Sequence, residues 1–345
     1  MRSRFAAAAL VAAVALSGSA TTRATTGVRV DGRDDTAWLQ ARLDEGGGTI
    51  SLPKLPGGAC YATRGLWVSH DDTRIVSNGA CITALGAGPV RLTSQDGDPV
   101  AADAVFFVNK SRQLDPAPVR VTISGLHVVV PRELGMFGVA VYGREVTVED
   151  VTVTGAPVDA VIVGGRANGD AYAGRVTIAR CNLAGATRNV LSATAVIGLR
   201  VVDSRIIGAT GSPGAGIDLE PGGRGSPALD VRFERNTISA NGGPGILLAF
   251  STNSGRLVYG TDVTIVRNRI VGNGTNRAAP QKGGIVFNGG QDGGGGRVHV
   301  ERNTIRGNRG AGLQGRPDVN LVVIARHNDL RGNTDGPVRG LKLRG

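Results

Sequence analysis

From about residue 119 to the end of the chain, apolar and polar residues alternate with a period of two in short runs, and the runs recur. The clearest copies read apolar-x-apolar-x-x-Asn-x-Ile: residues 231–238 around Asn236, 263–270 around Asn268 and 298–305 around Asn303. Residues 323–330 form a fourth copy with Asn328 in register, and further back Ser204, Cys181, Val151 and Leu126 take the Asn slot. Successive slots lie 25, 30, 23, 32, 32, 35 and 25 residues apart. The phrase keeps its form while the spacing changes, so the extra residues belong to loops. A second phrase follows each first one: Gly-Ile-Asp-Leu at 216–219, Gly-Ile-Leu-Leu at 245–248, Gly-Ile-Val-Phe at 284–287 and Gly-Leu-Gln at 312–314, with earlier forms starting at Gly138, Ala160 and Asn189. The period and the supply of Val, Ile and Thr predict strands, and no 3.6-residue apolar stripe competes.

Two or three short strands per repeat of about 23–35 residues predict an all-β, parallel β-helix. Coils then stack at about 4.8 Å, and equivalent residues lie above one another. Asn236, Asn268, Asn303 and Asn328 should form a ladder of amides inside a turn. The composition agrees: 54 of 345 residues are Gly, a content that helices do not tolerate and that turns with positive φ require. A WD-type propeller is the rival, but its 40–45-residue period and Trp-Asp pairs are missing.

Ahead of the repeats, residues 31–44 (Asp-Gly-Arg-Asp-Asp-Thr-Ala-Trp-Leu-Gln-Ala-Arg-Leu-Asp) precede Gly-Gly-Gly-Thr-Ile-Ser-Leu-Pro at 46–53. Asp35 or Thr36 should N-cap a short helix with Trp38, Leu39 and Leu43 on its apolar side and Gly46 at its end. This opening, continued through 60–68 and 75–85, resembles the pectate-lyase and polygalacturonase superfamily of right-handed β-helix proteins. The resemblance implies that the helix plugs the first coil. With the repeats it covers nearly the whole chain after the first 24 residues. The expected organisation is a leader and N-terminus at 1–24, a cap and first coils at 25–118, and helix repeats at 119–345. The activity motifs do not carry over. Pro-Gly-Ala-Gly at 213–216 stands where the polygalacturonases have Asn-Thr-Asp-Gly, and Gly-Ile-Leu-Leu-Ala-Phe at 245–250 lacks the next Asp pair. Their Gly-His-Gly, the lyase Trp-Ile-Asp-His and the lyase Arg-x-Pro-x-x-Arg are also missing.

Arg2 and Arg4, the apolar run at 5–16 and Gly-Ser-Ala at 18–20 read as a secretory signal peptide, with an uncleaved anchor as the alternative. The expected location is extracellular or periplasmic, with no membrane span. Such a compartment allows a disulfide, for which Cys60 and Cys81 are the candidate pair, against two buried thiols; Cys181 reads as core. Lys plus Arg number 39 and Asp plus Glu 28, a formal charge of +11. Arg235, Arg267 and Arg302 stack beside Glu234 and Glu301, which suits a lateral ion-pair ladder or, alternatively, a polyanion track. With only 4% aromatic residues, nucleic acid is not an expected partner, and the chain is expected to be a monomer. The four His show no metal spacing.

Alternate residues of the second phrase should face outward. One outward column then reads Ala140, Ile162, Leu191, Asp218, Leu247, Val286, Gln314; the next reads Tyr142, Gly164, Ala193, Glu220, Ala249, Asn288, Arg316. Asp218 and Glu220 stand out as two acids on one face, where the resemblance places the substrate groove. The following loops add Arg166, Asn168, Asp170, Arg224, Asn253, Arg256, Gln291 and Asp292. Together with Asn288, Gln314 and Arg316 they form the candidate substrate-binding set, a mixture suited to a polysaccharide, an acidic one included. The bland reading is solvated Gly-rich turns, with the two acids merely paired to Arg. Two outward residues i and i+2 have Cα atoms about 6.6 Å apart, which admits an inverting hydrolase with one acid and one base. A lyase would need the substrate carboxylate neutralised by Ca²⁺ or Arg; Asp218 and Glu220 could hold Ca²⁺, though no recognised calcium loop is present. A non-catalytic carbohydrate-binding or cell-surface protein is the alternative from another class.

Overall fold

The structure, a computed structural model, describes residues 33–86, 103–110, 120–164, 172–221, 226–250, 261–288, 296–315 and 321–344, together with the backbone of Leu92–Thr93 and Pro99–Val100. Its strands pair in parallel into an 18-stranded and a 10-stranded sheet; among the described residues the one antiparallel pair is Leu92–Thr93 with Pro99–Val100. Most coils contribute two strands to the larger sheet, separated by a corner, and one short strand to the smaller sheet; in the coils of Thr73–Ala84 and Thr122–Val129 one longer strand takes the place of the two. In one coil these are Ala228–Glu234, Thr237–Ser239 and Ile246–Ala249. The first phrase therefore makes the larger sheet and the second phrase the smaller one.

Register follows the apolar alternation. Val231, Val263, Val298 and Val323 stack in one inward column, and Ile238, Ile270 and Ile305 in another. These side chains are almost wholly buried and belong to one continuous core. Cys181 lies in it as a free thiol, pushed up to about 11 by burial.

The predicted amide ladder is present. Asn236 Nδ2 donates to Asn268 Oδ1 at 3.0 Å, Asn268 to Asn303 at 3.0 Å and Asn303 to Asn328 at 2.9 Å. Each Oδ1 also accepts the backbone N–H of the preceding rung, so the ladder satisfies main-chain donors at a corner where no strand can. Ser204 and Cys181 continue the slot as read from the sequence, the Ser204 hydroxyl accepting from Cys181 N–H at 3.1 Å. A second ladder, unforeseen, runs five residues further on through Asn241, Asn273, Asn308 and Asn333, each step 2.9 Å.

The residue before the Asn slot holds the left-handed region in coil after coil: Asp150, Arg180, Asp203, Arg235, Arg267 and Arg302 have φ between 52° and 57°. These residues carry the expected lateral ion pairs. Arg180 holds Asp150 and Arg235 holds Asp203, each through two hydrogen bonds, and Glu234 sits among Arg232, Arg235 and Arg267.

The N-terminal helix spans Thr36–Asp44 and buries Leu39 and Leu43 against the first coil. Asp35 occupies the N-cap position, as read, but makes no side-chain capping bond: its carboxylate turns into the coil and accepts from Ala62 N–H at 2.9 Å, while Asp34 Oδ1 accepts from Thr36 N–H at 3.1 Å. Cys60 and Cys81 face each other across parallel strands and form the disulfide. Among the described residues no helix is long and apolar enough to cross a membrane.

Candidate functional site

Ile217–Leu219 is a three-residue strand of the smaller sheet, between Leu191–Ala193 and Ile246–Ala249. Ile217 and Leu219 fill the interior, which turns Asp218 to the outer face. The register gives the outer column as Trp67, Phe107, Ala140, Ile162, Ser192, Asp218, Leu247, Val286, Gln314 and Arg339. The sequence reading placed Leu191 and Ala193 outward; both point inward, paired with Ile217 and Leu219, and Ser192 is the outward residue. The cause is Asn189, which lies opposite Ala215 rather than Gly216: its Oδ1 accepts from Ala215 N–H at 2.9 Å.

Asp218 is also not exposed, as a groove acid was expected to be. Only 2% of it is accessible, while Glu220, two residues on, is exposed. Asp218 sits in a buried polar cluster. Asn189 Nδ2 donates to Asp218 Oδ2 at 2.9 Å and to Ser192 Oγ at 3.2 Å. Asp159, fully buried one coil before Asn189, accepts from Asn189 N–H at 3.0 Å and from Arg188 Nε at 2.9 Å, with a second contact between its Oδ2 and the other arm of Arg188. Asp218 Oδ1 is buried without a partner. Burial first, then the Glu220 carboxylate, push the Asp218 carboxyl up to about 7, against the opposing pull of Arg188. Desolvation and the nearby Asp159 also raise the hydroxyl of Tyr142, in the same outer layer. The strand thus carries one buried carboxyl that gives up its proton only around neutrality, and is followed by another that meets water.

Asn288 and Gln314, both read from the sequence, come together. With Gln281, Val286, Phe287 and Gly315 they line a cavity of about 180 Å³. Arg166, Asn168, Asp170, Arg224, Asn253, Arg256, Gln291, Asp292 and Arg316 lie outside the described residues. Sequence reasoning missed Asp159, Arg188, Asn189 and Ser192 as neighbours of Asp218. A signal existed: Asp159 and Asn189 fall 30 residues apart at equivalent turns, a polar residue ahead of an apolar strand in both. Among the described residues no three His, Cys, Asp or Glu side chains converge as a metal set.

A family model described as "Right handed beta helix region" matches residues 137–334, more than half of the chain. The chain belongs to the right-handed β-helix family. No curated protein matches it. Among solved structures, this β-helix is similar to the enzymatically active domain of tailspike protein 2 of bacteriophage CBA120, at 13% identity and a TM-score of 0.54, over 90% of this chain and 50% of that one. It is similar to a mutant tailspike protein of E. coli bacteriophage HK620 in complex with a pentasaccharide, at 14% identity and a TM-score of 0.53, over 89% and 61%. It is similar also to the family 28 exopolygalacturonase of Yersinia enterocolitica, at 10% identity and a TM-score of 0.49, over 92% and 77%. The β-helix spans about half to three fifths of the two tailspike chains. At these identities the likeness is one of fold.

Proposed function

We propose that this β-helix is a secreted glycoside hydrolase acting on a polysaccharide, with Asp218 as the acid and Glu220 as the base. The observation that carries this is the Asp218 carboxyl: buried, with Oδ1 unpaired, and pushed up to about 7 beside the exposed Glu220. A carboxyl that is still protonated near neutrality can give its proton to a glycosidic oxygen. The Glu220 carboxylate takes a proton from a water as that water attacks the anomeric carbon. The C–O bond breaks, one sugar leaves with a hydroxyl, the other gains the water oxygen, and solvent restores the starting protonation of both acids. Two outward residues i and i+2 on a strand have Cα atoms about 6.6 Å apart, which is compatible with the carboxyl separation of about 6.5–9.5 Å that inversion requires, so inversion is the expected stereochemistry. The tailspike bound to a pentasaccharide supports carbohydrate as the ligand class, and the N-terminal leader supports secretion.

The test is incubation with a panel of uronate and neutral glycans. New reducing ends without an unsaturated product support the reading, and an unsaturated product means elimination instead. Asp218→Asn and Glu220→Gln should each reduce turnover by about 100-fold or more; full activity in both variants removes these residues from the reaction. The rate should fall as pH rises through about 7, as Asp218 loses its proton. A second reading, a carbohydrate-binding protein without turnover, is favoured by the 2% exposure of Asp218 and its bond to Asn189, which suit a structural acid.

A further inference from the structure

Along the outer column, Asp218 is followed by Leu247, Val286, Gln314 and Arg339, one per coil. Gln314 lines two cavities. The smaller is the amide-lined one of about 180 Å³ with Val286 in its wall. The larger, about 420 Å³, is lined by Lys282, Arg309, Thr334, Asp335 and Arg339 among others. Its charged lining is three cations and one acid, and that acid pairs with Arg339 at 2.9 Å. Lys282 Nζ donates to the Arg277 carbonyl and an Arg309 nitrogen to the Thr275 carbonyl; among the described residues neither cation has a carboxylate partner. This departs from the corner arginines of the other sheet, which are matched by acids. In the smaller cavity Gln281 Oε1 is buried without a donor. An acceptor that lacks a donor, two further amides, an apolar wall and two unmatched cations are the features that a sugar unit with a negative group would satisfy.

We propose that the two cavities form one subsite for a sugar bearing a carboxylate or a sulfate. Its hydroxyls meet Gln281, Asn288 and Gln314, and its charge meets Lys282 and Arg309. This rests on the reading that the protein acts on a polysaccharide, and it narrows the substrate to an anionic one. The geometry suits a chain lying along the axis. Coils rise by about 4.8 Å, comparable to the length of one pyranose unit, so the subsite would take the third unit beyond Asp218.

The experiment is titration calorimetry of the full chain with size-matched uronate, sulfated and neutral oligosaccharides. Wild type should bind at least one anionic series and bind the neutral one about tenfold more weakly or worse. The double variant Lys282→Gln/Arg309→Gln, with its fold checked by circular dichroism, should lose about tenfold or more in affinity for the anionic ligand and little for the neutral one. Gln281→Ala, an independent change without loss of charge, should weaken both series. Asp218→Asn should bind like wild type while turnover falls. Which anionic series binds tells carboxylate from sulfate. Equal affinity of wild type for charged and neutral ligands, or of the double variant and wild type for the anionic one, overturns the subsite. Binding that depends on Lys282 and Arg309 in a protein without turnover upholds the subsite and overturns the hydrolase. Turnover of a neutral glycan that is indifferent to both cations does the reverse.

Discussion

Asp218 is a carboxyl that the fold holds at a cost. Its folded pKa lies near 7, above the ordinary value of 3.8, so between those values the folded protein binds the proton more tightly than the unfolded chain does. Stability from this group therefore falls as pH rises from about 4 to 7 and stays low above that. The shift of about three units corresponds to about 4 kcal/mol as an upper bound. Asp218→Asn keeps the shape and removes the charge; its amide oxygen can face Asn189, and its NH₂ replaces the proton that Oδ1 lacks when ionised. Urea denaturation at pH 8 should show the variant more stable than wild type by a few kcal/mol, with the gap shrinking to about 1 kcal/mol at pH 4.5. Equal stability at both pH values would mean that Asp218 is not held protonated. The acid pair was legible because Asp218 breaks a column of apolar and small residues. Its partners were harder to see, because residues 190–193 (Val-Leu-Ser-Ala) can offer an apolar residue inward in either register. The backbone bonds of Val190 and Leu191 to Ala215 and Gly216, with the bond from Ala215 to Asn189, fix which register holds.

The strands and turns depend on two repeated devices, and the sequence showed one of them. The Asn ladder was legible because its residue recurs beside an apolar pattern. The second ladder recurs just as regularly, five residues later, but in Gly-rich turns where Asn is an ordinary choice for local reasons. Asn268→Ala would remove the acceptor for the backbone and side chain of Asn236 and leave the Phe233 carbonyl and Asn303 Oδ1 each short of a donor. The expected loss is about 3 kcal/mol or more by urea denaturation, and clearly less for Asn328→Ala, whose site is half-buried. The second-phrase glycines have a different reason from the one that composition suggested. Gly216, Gly245, Gly284 and Gly312 are not in the positive-φ set. At Gly216 a Cβ would come within 2.6 Å of the Gly245 carbonyl and of the Ile238 side chain, and 2.7 Å from Asn241. These glycines let each coil pass close to the next and to the second ladder. Gly245→Ala should cost about 1–3 kcal/mol or more, although alanine has the better backbone propensity; a neutral or stabilising result in a thermal melt would refute the close approach.

Across the whole molecule the fold was readable because a solenoid repeats one rule, whereas the site is composed of what breaks it. The N-terminal coil is tied by the Cys60–Cys81 bond, which spans 21 residues. Replacing both cysteines by serine should lower stability by about 3 kcal/mol on the chain-entropy account, read as a lower melting temperature that matches wild type under reducing conditions. The ladders have one more consequence. A rung is joined to the next coil by the side-chain amide of its Asn, so each corner returns to the same azimuth whatever the length of the loops between the paired strands. Rungs of the first ladder are 25 to 35 residues apart without any change in the amide spacing. The ladder works as a phase lock, and it resets after every loop. Loop length is then free to drift through insertion and deletion, leaving the scaffold intact and altering only what the surface offers to a ligand.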